Sequence, residues 1–415
     1  MFLGDENVTC MIPIMTEREF ATEVVSKLQR AGFTALFAGG CVRDELLGLT
    51  PADYDIATSA KPVEVQAHFR RTHTFGASFG VVEVLGPKDA NGEWLKVQVA
   101  TFRSDGTYTD GRRPDSVVFS SPEEDAARRD FTINGLFRDP ISGKLWDYVG
   151  GEADLKAGVL RAIGNPEERF TEDKLRILRA VRMAARFELS IDPATFAAAK
   201  AMASQIRAVS AERIAEELRK ILTNRHRERG LSLLLQGGVL PVILPEAGSG
   251  ASVGFDSVTR VSFPLAFAAL LKGVPPKAAE AVCRRLKLSN DETERVVWLT
   301  ANRSAFQNAE QQAKSKIYPL LVHPGAFELM ELTALDGSTI DADWCSQVRL
   351  QTPIGELNPP PLLTGDDLKR MGLKPGPQFK KLLDEVRTLQ LDGRLKTQGE
   401  AEEKIREWQS DTPCF

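Results

Sequence analysis

Cysteine is scarce and scattered in this chain: five in 415 residues, at Cys10, Cys41, Cys283, Cys345 and Cys414, an odd number with no CxxC. A disulfide framework and a thiolate zinc site are therefore not expected, and a reducing cytoplasm fits best. Histidine is scarcer still. His68, His73, His226 and His323 form no helical ligand pair, and none is followed by Asp, so neither a histidine metal centre nor a His-Asp phosphohydrolase is expected. No apolar run approaches about 18 residues, which argues against a membrane span. The opening MFLGDENVTCMIPIM carries acids and lacks a basic n-region, unlike a secretory signal. Positive charge is not in excess either: 53 Lys and Arg stand against 57 Asp and Glu, a net charge of −4. A generally basic nucleic-acid binder is excluded, and any RNA site must be a local basic surface.

What is present is an ordinary globular composition, 42% hydrophobic and 27% charged, long enough for two to four domains at roughly 150 residues each. Residues 17–31 have the periodicity of an amphipathic helix. TALFA (34–38) reads as a strand, CVRDELLG (41–48) as a helix, DYDIAT (53–58) as a strand and KPVEVQAHF (61–69) as a helix. GVVEVLG (80–86) and EWLKVQVATF (93–102) alternate as strands. The first 140 residues are thus α/β. From about 165 onward helical patterns succeed one another: 175–187, 195–206 and 211–222. Breaks fall at 245–260 and at NPPPLL (358–363). Two helices around the LKPGP turn come after it.

Three constellations carry chemistry. In the first, Gly39 and Gly40 end a strand, Arg43 and Asp44 stand in the next helix, and Asp53 and Asp55 lie beyond Leu47-Gly48. Glycines admit a ligand to the backbone, helix-start N–H groups favour phosphate, and Arg43 is placed to reach the same phosphates. Asp53 and Asp55, two apart in a strand, share one face and suit hard divalent cations of the Mg²⁺ type. Two such ions would activate an attacking hydroxyl and neutralise a leaving pyrophosphate. The second constellation is Asp110-Gly111-Arg112-Arg113-Pro114 and then Arg128-Arg129-Asp130-Phe131-Thr132-Ile133-Asn134-Gly135. The third is Glu172-Asp173-Lys174-Leu175-Arg176, continuing to Arg179 and Arg182. Asp173 and Arg176 at i and i+3 of a helix would share a face. An acceptor beside donors imitates the pairing edge of a base, accepting from the amino group of cytosine or adenine and donating to the ring. Uracil lacks that amino donor. The alternative is a plain i/i+3 ion pair between the two.

These motifs resemble the class II nucleotidyltransferase family, which holds the bacterial and eukaryotic tRNA CCA-adding enzymes and bacterial poly(A) polymerases. The similarity runs from about 33 to 245 and resumes more weakly at 362–400. It implies an α+β protein: an N-terminal polymerase beta-like head with a small mixed sheet (1–148), then an all-α neck carrying the base-selecting helix (149–245), a helical body (246–357) and a helical, tRNA-binding tail (358–415). It implies template-independent addition of C and A to the tRNA 3′ end from CTP and ATP. Asp53 and Asp55 would be the catalytic, metal-binding pair for two Mg²⁺ ions. Gly39, Gly40, Arg43, Arg129, Asn134, Asp173, Arg176, Arg179 and Arg182 would bind the nucleotide, with Arg129 touching it and Asn134 at the ribose. The stretch 104–118 resembles the family's flexible loop, which helps the site switch from C to A. Trp146-Asp147-Tyr148, Gly150 and Asp154-Leu155 read as a hinge, and Ala211 to Glu217 as a helix bracing the neck.

One departure concerns a third acid, which relatives often carry where this chain has Gln98. Glu83 on the neighbouring strand either points at the same site or faces solvent. RNA would meet local basic surfaces, since 161–229 holds 15 Lys/Arg against 10 Asp/Glu and 366–396 holds eight against five. No membrane and no obligate protein partner are implied. An A-adding-only enzyme and a poly(A) polymerase share the motifs, although THTFGASFGVVEVLG (72–86) lacks the polymerases' basic cluster. A non-catalytic RNA-binding module is the reading from another class.

Overall fold

The computed structural model describes residues 15–73, 80–89, 91–106, 116–248, 254 and 261–411. The predicted Asp110–Pro114 string, most of the 104–118 loop, and Cys10 and Cys414 lie outside these residues. The chain divides into two compact units, one of residues 1–221 and 232–243, the other of 222–231 and 244–415.

The first unit opens with α1 (Glu17–Arg30). Thr16 and Glu19 form a capping box at its start, and Lys27 and Arg30 lie in its last turn, where the helix dipole favours cations. Phe20, Ala21, Val24, Val25 and Leu28 recur at helical spacing and are buried. β1 (Ala35–Ala38) comes next, then α2 (Gly40–Leu46), β2 (Asp55–Thr58), α3 (Pro62–His68), β3 (Thr72–His73), β4 (Val81–Lys88) and β5 (Trp94–Thr101). β6 (Arg103–Asp105) and β7 (Val117–Phe119) make a separate two-stranded pair. α4 (Pro122–Ala127), β8 (Leu136–Arg138) and β9 (Leu145–Asp147) complete the head. The main sheet is mixed, in the order β3-β4-β5-β2-β1-β8-β9, with β2 and β5 parallel and the other pairs antiparallel.

β1 is apolar throughout and buried on both faces in the interior of this sheet, between β2 and β8. β5 alternates instead: Leu95, Val97 and Val99 turn into the core beneath α1 and α3, while Trp94, Lys96 and Gln98 are exposed. The expected α+β head is therefore present, and helices dominate the rest of the chain. They include α5 (Gly151–Ala157), α6 (Pro166–Glu172), α7 (Arg176–Arg186), α8 (Pro193–Ala201) and α9 (Ala211–Leu222). The second unit is helical, from Phe263–Leu270 to Gln398–Asp411. Its C-terminal portion closes a core of its own on Leu363, Leu368, Val386, Ala401 and Ile405. Among the described residues no helix is long and apolar enough to cross a membrane.

Two local expectations need correction. The strand expected over 53–58 begins at Asp55, so Asp53 precedes it. The helix expected to carry both Asp173 and Arg176 is broken. α6 ends at Glu172, Asp173 is extended (φ −146, ψ 105), and α7 starts at Arg176. Asp173 causes the break: its Oδ1 accepts the Leu175 N–H at 3.0 Å, a side-chain bond that competes with helix continuation. Asp173 and Arg176 therefore share no helical face.

Candidate active site

Despite that break, one cavity of about 620 Å³ in the first unit gathers Gly39, Gly40, Arg43, Asp53, Asp55, Arg129, Asn134, Asp173, Arg176, Arg179 and Arg182, every site residue expected from the sequence. Arg128, Asp130, Leu175, Met183 and Arg213 complete its lining. Seven arginines against four aspartates make it a positive concavity in a chain of negative net charge, suited to a polyanionic ligand such as a triphosphate.

The head supplies one wall. Gly39 turns the chain between β1 and α2 with φ +69, a conformation L side chains rarely adopt, and a Cβ there would lie 2.6 Å from Arg129 Nη1. The missing side chain is what lets Arg129 pass behind the turn. Asp125, buried in α4, aims it: Asp125 Oδ2 accepts Arg129 Nε at 3.2 Å and Nη2 at 2.9 Å, while Oδ1 accepts Arg128 Nη2 at 2.8 Å. Arg129 Nη1 also donates to the Asn134 carbonyl at 3.2 Å, and the guanidinium lies over the Phe137 ring.

Arg43 turns inward. It is 6% exposed, donates to Asp44 Oδ1 through Nε (2.8 Å) and Nη2 (2.5 Å), and donates through Nη1 to Asn134 Oδ1 at 2.5 Å. Asn134 Nδ2 in turn donates to Asp130 Oδ1 at 2.9 Å. Both ends of the Asn134 amide are thus engaged, and the Arg43 side chain is a brace for it.

The acids occupy another part of the lining. Asp55 opens β2, and its side chain is open to the cavity. Surrounding protein and the neighbouring Asp53 charge push its carboxyl up to about 6, against the pull of Arg129. An Asp53 charge that disfavours ionisation of Asp55 fits a divalent cation, whose own charge would relieve the repulsion. Gln98 pairs with Asp55 across β2–β5 and with Glu83 across β4–β5, so the three lie in one row on one sheet face. Glu83 is two strands from Asp55, roughly 9.6 Å at the usual spacing, and its carboxylate faces His73 Nδ1 at 3.4 Å. Among the described residues no third His, Cys, Asp or Glu joins the pair as a metal cluster.

The opposite lining comes from the segment after Glu172. Asp173 is gripped by Arg213 of α9, with Nη2 to Oδ2 at 2.7 Å and Nη1 to Oδ1 at 3.2 Å. Arg176 donates to Glu172 and to the Arg169 carbonyl at 2.9 Å. The two therefore do not pair with each other. Arg179 forks onto Asp130 Oδ2 through Nε (2.8 Å) and Nη2 (2.5 Å). Burial alone would push the Asp130 carboxyl up, but the Arg179 charge and the Asn134 hydrogen bond hold it well below the usual carboxylate range. Arg182 donates to Glu217 Oε2 at 2.6 Å.

Sequence reasoning missed Arg213, Asp125 and Asp130. Arg213 sits in the segment read as a brace, and only the face it turns to Asp173 distinguishes it.

Comparison with known proteins gives the family. Residues 35–161 match the "Poly A polymerase head domain", 188–249 the "Probable RNA and SrmB- binding site of polymerase A", and 263–406 the second domain of tRNA nucleotidyltransferases. The chain is 33% identical to the CCA-adding enzyme of Levilactobacillus brevis over 401 residues, covering 91% of this chain and 95% of that one. It is 34% identical to the CCA-adding enzyme of Lactococcus lactis over 387 residues, covering 91% and 94%. The crystal structure of the Bacillus stearothermophilus CCA-adding enzyme in complex with CTP superposes with a TM-score of 0.80 at 26% identity, over 96% of this chain and all of that one.

Proposed function

The chain belongs to the family of CCA-adding enzymes, and on that premise we propose how its pocket adds C and A to the 3′ end of tRNA from CTP and ATP. The observation that carries the reading is the convergence of all eleven expected residues on one positive cavity, with Asp53 and Asp55 in its lining.

In this reading the triphosphate lies among the arginines. Arg129 meets it, held by Asp125, and Arg179 and Arg182 flank it, held by Asp130 and Glu217. Arg43 acts at one remove by fixing Asn134. The 3′-terminal hydroxyl of the RNA attacks the α-phosphorus and loses its proton to solvent, the new phosphodiester forms as the α–β phosphoanhydride bond breaks, and pyrophosphate leaves with the β- and γ-phosphates. Asp53 and Asp55 would hold Mg²⁺, which would supply Lewis acidity to lower the pKa of the hydroxyl and positive charge to neutralise the pyrophosphate.

Asp173 and Arg176 select the base from separate sides of the helix break. A carboxylate has about four acceptor positions. Arg213 and the Leu175 N–H take three of those of Asp173, leaving one on Oδ2. That position suits one amino hydrogen of cytosine N4 or adenine N6. The Arg176 guanidinium supplies donors for the ring acceptor.

We divide the chain by role into a catalytic head (1–148), a base-selecting neck (149–245), a body (246–357) and a tRNA-binding tail (358–415). The reducing cytoplasm is the proposed compartment, in keeping with the free, buried Cys41, Cys283 and Cys345. The test is incubation with tRNA ending in no tail, C, or CC, with CTP and ATP supplied separately and together. Restoration of CCA in every case is expected. Extension of only the CC-ended tRNA, and by a single A, would make this an A-adding enzyme. A long A tail would make it a poly(A) polymerase, and binding without incorporation a non-catalytic module.

A further inference from the structure

A second concavity lies on the same unit, at the β3–β4 edge of the sheet. It encloses about 660 Å³ between α1, residues 69–71 and β4, and shares no residue with the nucleotide pocket. A Cβ at Gly86 would lie 2.8 Å from the Phe20 ring, so the absence of a side chain lets strand and ring meet and leaves the groove open above them. The charged residues in its lining are Lys27, Arg70 and Arg71, with no acid among them.

Two of these cations are held by aromatic rings. Lys27 Nζ lies 4.8 Å from the centroid of Phe69, and the Arg71 guanidinium 4.5 Å from that of Trp94, with Lys88 Nζ 5.3 Å from the same ring. A ring positions a cation without neutralising it, whereas a carboxylate cancels its charge. Among the described residues Lys27, Arg70, Arg71 and Lys88 are all exposed and make no ion pair. Of the acids close in sequence, Glu23 stands one helical turn before Lys27 on α1, exposed and forming no ion pair with it, and those beside β4 are engaged elsewhere. Asp89 Oδ1 accepts the N–H groups of Asn91 and Glu93 in the β4–β5 turn, and Glu83 faces His73. Four unneutralised cations around one groove are a local excess in a chain of net charge −4.

We propose that this groove is a further RNA-contact surface, taking the phosphodiester backbone of the tRNA substrate at a point away from the reacting 3′ end. The proposal rests on the assignment of tRNA as substrate. Its chemistry fits that substrate, because backbone contacts give affinity without reading sequence, as an enzyme that accepts many tRNAs requires. Its shape disfavours a membrane. A bilayer is met by several protruding apolar side chains beside basic ones, whereas Phe20 here is buried at the floor of a concavity and the exposed Trp94 is covered by Arg71 and Lys88.

The test is the full-length K27E/R70E variant beside a K144E/K156E control, which reverses two exposed cations elsewhere on the same unit. In K27E/R70E the KM for tRNA rises, while kcat at saturating tRNA and the KM for CTP stay at wild-type values. With two phosphates no longer neutralised, the slope of log kcat/KM against log salt becomes shallower by about 1.8. Between about 50 and 200 mM salt the wild type then loses about tenfold more than the variant. Wild-type kinetics and salt slope in K27E/R70E, or the same change in the control, would overturn the proposal. So would loss of capture by anionic-lipid vesicles with tRNA kinetics intact, which would assign the groove to a membrane. Direct tRNA binding, measured beside turnover, separates the two readings: an inactive wild type whose tRNA affinity still falls in K27E/R70E defeats the proposed reaction but not this surface.

Discussion

Removing the Asp173 carboxylate isolates base choice from everything else the pocket does. In Asp173→Ala the Arg213 fork and the Leu175 N–H lose their partner, a cost borne whichever nucleotide is bound. The amino hydrogen of cytosine also loses its acceptor, whereas uracil, which presents a carbonyl there, loses nothing. A hydrogen bond to a charged group contributes about 1.5–3 kcal/mol. At about 1.4 kcal/mol per tenfold, the CTP-to-UTP ratio of kcat/KM should fall by about ten- to 150-fold. The assay is single-nucleotide incorporation on tRNA lacking its tail, with CTP and UTP in parallel for wild type and variant. The nucleotide-independent cost cancels in the ratio. Arg213→Ala provides the counterpart: it leaves the carboxylate but removes the fork that fixes its plane, so the ratio should fall less than in Asp173→Ala. Equal losses for CTP and UTP in Asp173→Ala would refute the reasoning and leave Asp173 as no more than an anchor for α9.

Asp53→Ala and Asp55→Ala should each abolish incorporation in Mg²⁺ while leaving the circular dichroism spectrum unchanged; normal turnover by either would remove the metal assignment. Because the Asp55 carboxyl is raised to about 6 by burial and by Asp53, metal-free protein holds that proton more tightly folded than unfolded. Its contribution to stability is complete below about pH 4 and is lost as pH rises through about 6, so Asp55→Asn should flatten the melting temperature across that window in EDTA. Mg²⁺ affinity should rise over the same range as the proton is displaced. Asp130 has the opposite sign: its carboxyl is held low, so its stabilisation is present above about pH 4 and fades on acidification. The melting-temperature gap between wild type and Asp130→Asn should therefore be largest near neutrality and close in acid. Gly39→Ala should lose about 1–3 kcal/mol from the strained positive φ and raise the KM for CTP by displacing Arg129, which a fluorescence melt and initial rates would separate.

The head was legible because its signals are local. A strand that ends in Gly-Gly before a helix, the amphipathic period of 17–31, and the alternation of 94–101 each depend on a few adjacent residues, and each appears where expected. The segment around Asp173, which we propose selects the base, was harder for a physical reason. Spacing at i and i+3 predicts a shared face only if the helix is continuous, and the Asp173 side chain binds the backbone two residues on and interrupts it. The residue types and their meeting point survived; the geometry that joins them did not. Arg213 was illegible as a site residue because its partner is 40 positions away, and nothing in AERIAEEL marks which charge faces inward.

Asp125 shows the same limit from the other side. In the sequence it comes after Pro122-Glu123-Glu124 in the first turn of a short helix, where an acid is explained fully by the helix dipole. In the fold it is 2% exposed and accepts both Arg128 and Arg129. Burial works against its charge, yet the two arginines hold its carboxyl below the usual range. The arginines are thereby fixed before any nucleotide arrives. A positive site assembled this way needs little rearrangement when charge develops on the phosphates. Asp44 with Arg43, Asp130 with Arg179 and Glu217 with Arg182 repeat the pattern. The acids paired with these arginines therefore set where the positive charge stands, and Asp53 and Asp55, which line the same cavity without being ion-paired to any of these arginines, are the carboxylates we propose for the metal.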